Sequence, residues 1–186
     1  MESTVTLRVN APPRALERFR RLVWAQYKKH GRHALPWRKT KDPYRILVSE
    51  IMLQQTQVNR VLPIYAEFTK RFPTARKLAA APLSEVLKAW QGLGYNRRAK
   101  QLKAAAQALA TRKVTTIAEC EKLPGVGPYT ARAIAAFAFN KNVVFVETNI
   151  RTAVIHHFFP GEKKVRDSEI EKILQEALPR GRSRMW

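Results

Sequence analysis

Cysteine is nearly missing from this chain: Cys120 stands alone among 186 residues. One thiol excludes an internal disulfide, a four-cysteine zinc site and an iron–sulfur cluster held by four thiolates of the chain. Cys120 reads as small apolar filler on a helix. Negative charge is scarce too. Asp and Glu number 14 against 35 Lys and Arg, a formal net charge of +21. Such a field draws polyanions, and nucleic acid is the partner it fits first. A solubility surface, or an assembly protein of the ribosomal kind, is the blander alternative. No apolar run approaches the roughly 18 residues of a membrane span. The start, MESTVTLRVNAPPRA, has no apolar core followed by a small-residue cleavage site, so residues 1–14 read as an arm or tail. The expected setting is the cytoplasm, in association with the nucleoid. The four His include the adjacent pair His156 and His157, which points to two different helix faces and shows no metal-ligand spacing.

What is present is helical periodicity. The segment RALERFRRLVWAQYKKHG follows Pro12-Pro13 and stops at Gly31. Asp42 caps and Pro43 opens a helix running through YRILVSEIMLQQTQVNRVL. Helices follow at Pro63 to Arg71, Thr74 to Ala80, Ser84 to Trp90, Asn96 to Ala110, TTIAECEKL and PYTARAIAAFAF. Asn149 to Phe158 is stopped by Pro160-Gly161, and Asp167 caps SEIEKILQEAL, which Pro179 closes. Only TVTLRV and VVFV look like strands, and both are too short and isolated for a sheet. The class is all-α.

Three stretches carry chemistry. In LPGVGPYTARAIAAF, Gly125 and Gly127 flank Val126 and precede Pro128, Tyr129 and Thr130. Glycines admit close approach to the main chain, and the new helix starts with unpaired N–H groups that favour an anion. The motif reads as a hairpin that clamps a nucleic-acid backbone without reading bases, or as an ordinary tight turn. In ILVSEIMLQQTQV, Glu50 interrupts an apolar helix with Gln54 four residues on. Glu50 is either an acid with a raised pKa or half of a buried ion pair with an arginine. In GLGYNRRAKQLK, Tyr95 follows glycines and precedes Arg97, Arg98 and Lys100. The aromatic fits a wedge into a base stack and the cations fit phosphates, unless the tyrosine is core and the cations solvated.

Together these stretches resemble the helix–hairpin–helix (HhH-GPD) DNA glycosylases, most of all the adenine-specific MutY type. The likeness covers about Ala15 to Phe159, and SEIMLQQTQV is its most specific part. The resemblance implies a six-helix barrel over residues 42–140 carrying the hairpin at about 116–139. It implies a second helical domain from 15–41 plus 141–186. It implies a monomer that kinks double-stranded DNA and flips a mismatched or damaged base from the stack. Glu50 matches the general acid that protonates the departing base. Gln54 and Gln55, with Tyr95, match positions that wedge the stack, and Trp37, Arg38 and Gln54 match the base pocket. Tyr129 and Asn149 match residues near the reacting sugar. Arg97, Arg98, Gly125, Val126, Gly127 and Thr130 match DNA contacts.

Cleaving the base–sugar bond also needs a carboxylate to stabilise the oxocarbenium ion. The family has an aspartate there, and this chain has Glu147 in VVFVETNIR. Glu147 reads as a solvated loop acid, a helix cap, or that stabilising group with one extra methylene. Relatives that cut the strand carry lysine at position 129, where this chain has tyrosine, so base excision without strong lyase activity is expected. The expected substrate is adenine opposite G or 8-oxoguanine. Thymine or uracil opposite guanine is the second reading, and a catalytically weak or silent DNA-binding module the third. No cofactor is expected, although the hairpin leaves room for a monovalent cation. Beyond the match the family continues to a last helix, a four-cysteine iron–sulfur loop and a lesion-reading domain; this sequence ends at Trp186 before them.

Overall fold

The computed structural model describes residues 11–162 and 164–178, which contain helices and no strand. TVTLRV and Pro179 lie outside the described residues, as does most of the expected arm. VVFV is extended chain without a ladder; Val144 and Val146 pack on a small apolar core instead. The chain divides into two compact units, Arg32–Lys141 and Met1–Gly31 with Asn142–Trp186. The boundary differs from the expected one. Residues 32–41 belong to the larger unit, because Trp37 is buried in its core, edge-on to Tyr65 at 5.0 Å.

In the larger unit, a short 3-10 turn (Pro36–Arg38) precedes α2 (Pro43–Leu53); the first helix, Pro13–His30 (α1), belongs to the other unit. Asp42 caps α2 by accepting from the Tyr44 N–H at 2.9 Å, with Pro43 in the first turn. α2 buries Tyr44, Ile46, Leu47, Val48, Ser49, Ile51 and Met52. A helix apolar nearly all round must be central. α3 (Val58–Arg71), α6 (Asn96–Thr111) and α8 (Pro128–Phe139) all pack on it. α4 (Ala75–Ala80), α5 (Leu83–Ala89) and α7 (Ile117–Glu121) complete this unit. Trp90 and Phe68 are fully buried and meet edge to face at 5.9 Å.

The sequence predicts one unbroken helix from Tyr44 to Leu62, and the structure breaks it. α2 ends at Leu53, Gln55 turns left-handed at φ 53°, and the Thr56 N–H closes the turn on the Leu53 carbonyl at 3.2 Å. Pro63, which reads as a helix start, lies inside α3. The missing N–H of a proline that close to the helix start removes only one ladder bond.

The smaller unit packs α1 (Pro13–His30), α9 (Thr148–Phe158) and α10 (Asp167–Ala177) around Leu16, Phe19, Val154, Ile170, Ile173 and Leu174. Arg20 reaches the C-terminus of α10, its Nε donating to the Ala177 carbonyl at 2.9 Å and its Nη2 to that of Glu176. A guanidinium there satisfies carbonyls that the helix leaves unpaired.

Candidate functional site

Glu50 lies in the last turn of α2, half-buried between residues that are fully buried. Among the described residues no cation and no hydrogen-bond donor sits on its carboxyl. Desolvation acts unopposed and pushes its pKa up to about 7. This decides between the two sequence readings: Glu50 is not half of an ion pair. It is an acid that exchanges its proton near neutrality, in a chain dense with arginine.

Gln54 has left the helix. It is the C-cap residue of α2 at φ −57° and ψ 115°, so it does not share a helical face with Glu50 as the i+4 spacing predicts. The exposed Gln55 follows in the left-handed region. Tyr95 is also left-handed, at φ 49°, and 69% exposed at the start of α6. Non-glycine residues at positive φ are uncommon, and a bulky aromatic there marks strain held by its surroundings.

Arg98 is what holds both turns. The sequence assigns it to phosphate, and the structure corrects this. The side chain is buried, and Nη1 donates to the carbonyls of Ile51 and Met52, each at 3.2 Å, and to that of Gln54. Nη2 donates to the Leu93 carbonyl at 2.9 Å and to Thr56 Oγ1 at 3.2 Å. The planar fork thus caps the end of α2 and joins the Gln54–Thr56 turn to the glycine loop before Tyr95, whose ring lies 5.5 Å from the guanidinium. The cations that do face water here are Arg97 and Lys100. Thr56 and Trp90 escaped the sequence reading. The Trp90 indole Nε1 donates to the Gly94 carbonyl at 3.1 Å and fixes the loop from below. No local pattern signals either contact.

The pocket residues separate. Trp37 is buried core and Arg38 is exposed. In the hairpin, Thr116 and Glu119 form a capping box that starts α7. The Val126 N–H donates to the Leu123 carbonyl at 3.1 Å, so it is spent inside the turn, and the side chains of Val126 and Thr130 are buried. The two glycines differ in function. Gly125 sits at φ 78°, and a Cβ there would meet Gln101 Cβ at 2.9 Å; it serves the turn and its packing on α6. Gly127 has an ordinary φ of −90°, and a Cβ there would meet nothing within 4 Å. It leaves bare main chain where α8 begins, ahead of Tyr129, which is 45% exposed. That helix start is the part of the hairpin chemically suited to an anion.

In the smaller unit, Glu147 is the N-cap of α9. Its Oε1 accepts from the N–H groups of Asn149 and Ile150 at 3.0 and 3.1 Å, and its Oε2 from Asn149 Nδ2 at 3.3 Å. A solvated loop acid is ruled out by these bonds. The extra methylene of glutamate is taken up by the side chain curling back onto the helix start.

Among the described residues no group of three or more His, Cys, Asp or Glu could hold a metal ion. The one thiol, Cys120, is buried and pushed up to about 11 by desolvation, so this chain's donors do not fit a four-thiolate cluster. No helix of the described residues is long and apolar enough to cross a membrane.

Comparison with known proteins matches residues 48–180 to the family described as HhH-GPD superfamily base excision DNA repair protein. An adenine DNA glycosylase of Mycolicibacterium smegmatis is 44% identical over 152 residues, covering 76% of this chain and 51% of the relative. One of Buchnera aphidicola subsp. Baizongia pistaciae is 39% identical over 156 residues, covering 82% of this chain and 44% of the relative. The chain therefore spans about half the length of these curated relatives. Among solved structures, a thermostable thymine-DNA glycosylase superposes with a TM-score of 0.84 at 29% identity, covering 95% of this chain and 84% of that one. A non-covalent endonuclease III–DNA complex, at 20% identity and a TM-score of 0.70 over 91% and 83% of the two chains, shares the fold.

Proposed function

Because the chain belongs to the HhH-GPD superfamily of base excision DNA repair proteins, we propose that it is a monofunctional DNA N-glycosylase that excises a flipped, mismatched adenine opposite G or 8-oxoguanine. The observation that carries this is Glu50, an unpaired half-buried acid whose pKa stands at about 7. A general acid works best with a pKa near the operating pH. Glu50 hands its proton to the departing base, the C–N bond breaks, and the bond's electron pair leaves with the base. Water adds to the sugar carbon and loses a proton.

The carboxylate of Glu147 stabilises the positive charge that develops on the sugar. Two backbone N–H bonds fix its Oε1, so the carboxylate needs little reorganisation at the moment of reaction. Asn149 positions it through the Oε2 bond. Tyr129 has no amine for a Schiff base, which supports base excision without strand cutting. Gln55 and Tyr95, exposed on turns tied by Arg98, enter the base stack. Arg38 borders the base, while Arg97 and the start of α8 at Gly127 contact phosphates. Identities of 39–44% to proteins named adenine DNA glycosylase favour adenine. DNA as substrate sets its work in the cytoplasm, at the nucleoid.

The TM-score of 0.84 to a thymine-DNA glycosylase favours a second reading, thymine or uracil opposite guanine. A single-turnover assay separates them, with duplexes bearing A:G, A:8-oxoguanine, T:G or U:G and alkali to reveal abasic sites. Adenine release is expected, and Glu50→Gln should abolish it while binding persists. Product from T:G or U:G alone overturns the adenine assignment. No product from any duplex, with binding retained, leaves a DNA-binding module.

A further inference from the structure

The cations of α1 differ in their surroundings. Arg20 is turned onto the α10 carbonyls. Arg14, Arg18, Arg21 and Lys28 are all exposed, and among the described residues none of the four has an ion pair or hydrogen bond. Their spacing, i, i+4, i+7 and i+14, puts them in one stripe opposite the buried Leu16 and Phe19. At 1.5 Å per residue the stripe is about 21 Å long. Exposed Ala25 fills its middle, so nothing bulky holds a partner off.

An ordinary solvated helix face mixes signs, because i,i+4 pairs of opposite charge stabilise it and like pairs oppose it. Here the only acid of α1 is Glu17, beside the stripe. Elsewhere the protein does pair its cations, as Arg71 with Glu85 and Arg151 with Asp167. Glu17 stands three residues from Arg14 and four from Arg21, but Arg18 and Lys28 have no acid at either spacing, so the stripe keeps an excess of positive charge that an external anion complements. The partner must be long, regular and anionic on a scale of about 21 Å, which corresponds to roughly six base pairs at 3.4 Å per pair. No aromatic lies on the stripe, so it offers no stacking platform for a single strand.

We infer that the outward stripe of α1, Arg14, Arg18, Arg21 and Lys28, is a second DNA-contact surface that binds the phosphate backbone of duplex DNA without reading sequence. It acts in addition to the contacts proposed for the larger unit and stands whether or not the glycosylase reading holds.

The test is the salt dependence of binding to an undamaged duplex, measured by fluorescence anisotropy on the full chain between about 50 and 200 mM salt. The variant R14Q/R18Q/R21Q/K28Q keeps good helix formers at exposed positions, and its urea midpoint should match the parent. The slope of log K against log salt should become shallower by about 0.9 per lost contact, up to about 3.6 in all. The variant R14K/R18K/R21K, which keeps the charge, should retain the parent slope. An unchanged slope in the glutamine variant overturns the proposal. So does loss of binding to poly-glutamate with the duplex slope intact, which assigns the stripe to an acidic protein.

Discussion

Replacing Glu50 by Gln should stabilise this protein and inactivate it together. The carboxyl has its pKa raised from 4.5 to about 7 by burial, with no cation or donor to offset it. A raised acid pKa means that the fold prefers the protonated form. The penalty is therefore absent below about pH 4.5, grows at ~1.4 kcal/mol per pH unit, and is complete above about pH 7. Across that window it sums to roughly 3 kcal/mol, an order-of-magnitude figure. Glutamine has nearly the same shape and cannot ionise. Urea unfolding of both proteins from pH 4.5 to 8.5 should show near-equal stability at the acid end. Glu50→Gln should be more stable by about 2–3 kcal/mol at the alkaline end. The wild-type excision rate should fall as pH rises through about 7, and the variant should give no product at any pH. Stability curves that run parallel across the whole range would refute the account of Glu50 as a desolvated, unpaired acid.

Three further outcomes follow from the contacts. Glu147→Gln keeps an acceptor for the α9 N–H groups, so stability should change by less than about 1 kcal/mol while the single-turnover rate drops about a hundredfold; an unaffected rate leaves Glu147 a cap alone, and a faster Glu147→Asp marks a misplaced acid. Arg98→Met removes the donor that serves the carbonyls of Ile51, Met52, Gln54 and Leu93, and should cost more than about 3 kcal/mol in urea unfolding, with Arg98→Lys recovering only part because its ammonium lacks the fork. Gly125→Ala should destabilise by about 1–2 kcal/mol at its left-handed φ, while Gly127→Ala should leave the urea midpoint alone and weaken duplex binding; equal effects at the two positions would contradict their different surroundings.

Much of the protein is legible in the chain itself. Helical periodicity and the Asp42-Pro43 start mark their helices because caps and amphipathic faces are local features, decided within a few residues. The apolar surroundings of Glu50 are local too, since the helix bearing it is apolar almost all round. The family resemblance rests on the same contiguous motifs, and residues 48–180 carry the match. Net charge and the lone cysteine are sums over residues and need no fold.

Tertiary structure decided matters that depend on residues far apart in sequence. Arg98 looks like any other cation in NRRAK; only the meeting of α6 with the end of α2, more than forty residues away, turns it inward. The same contact explains why a continuous helical pattern breaks at Gln54–Thr56, since an external donor takes over carbonyls that the helix would otherwise have satisfied. Trp37 goes to the core because Tyr65 lies against it. The two hairpin glycines look equivalent as letters and differ because Gln101 crowds one of them. Whether Glu50 has an arginine partner is equally invisible to spacing, as arginines abound along the chain. Composition and local pattern set which groups are available and which helices form. Long-range packing sets which of those groups lose water, and desolvation is what separates a structural cation or a proton-holding acid from a solvated one.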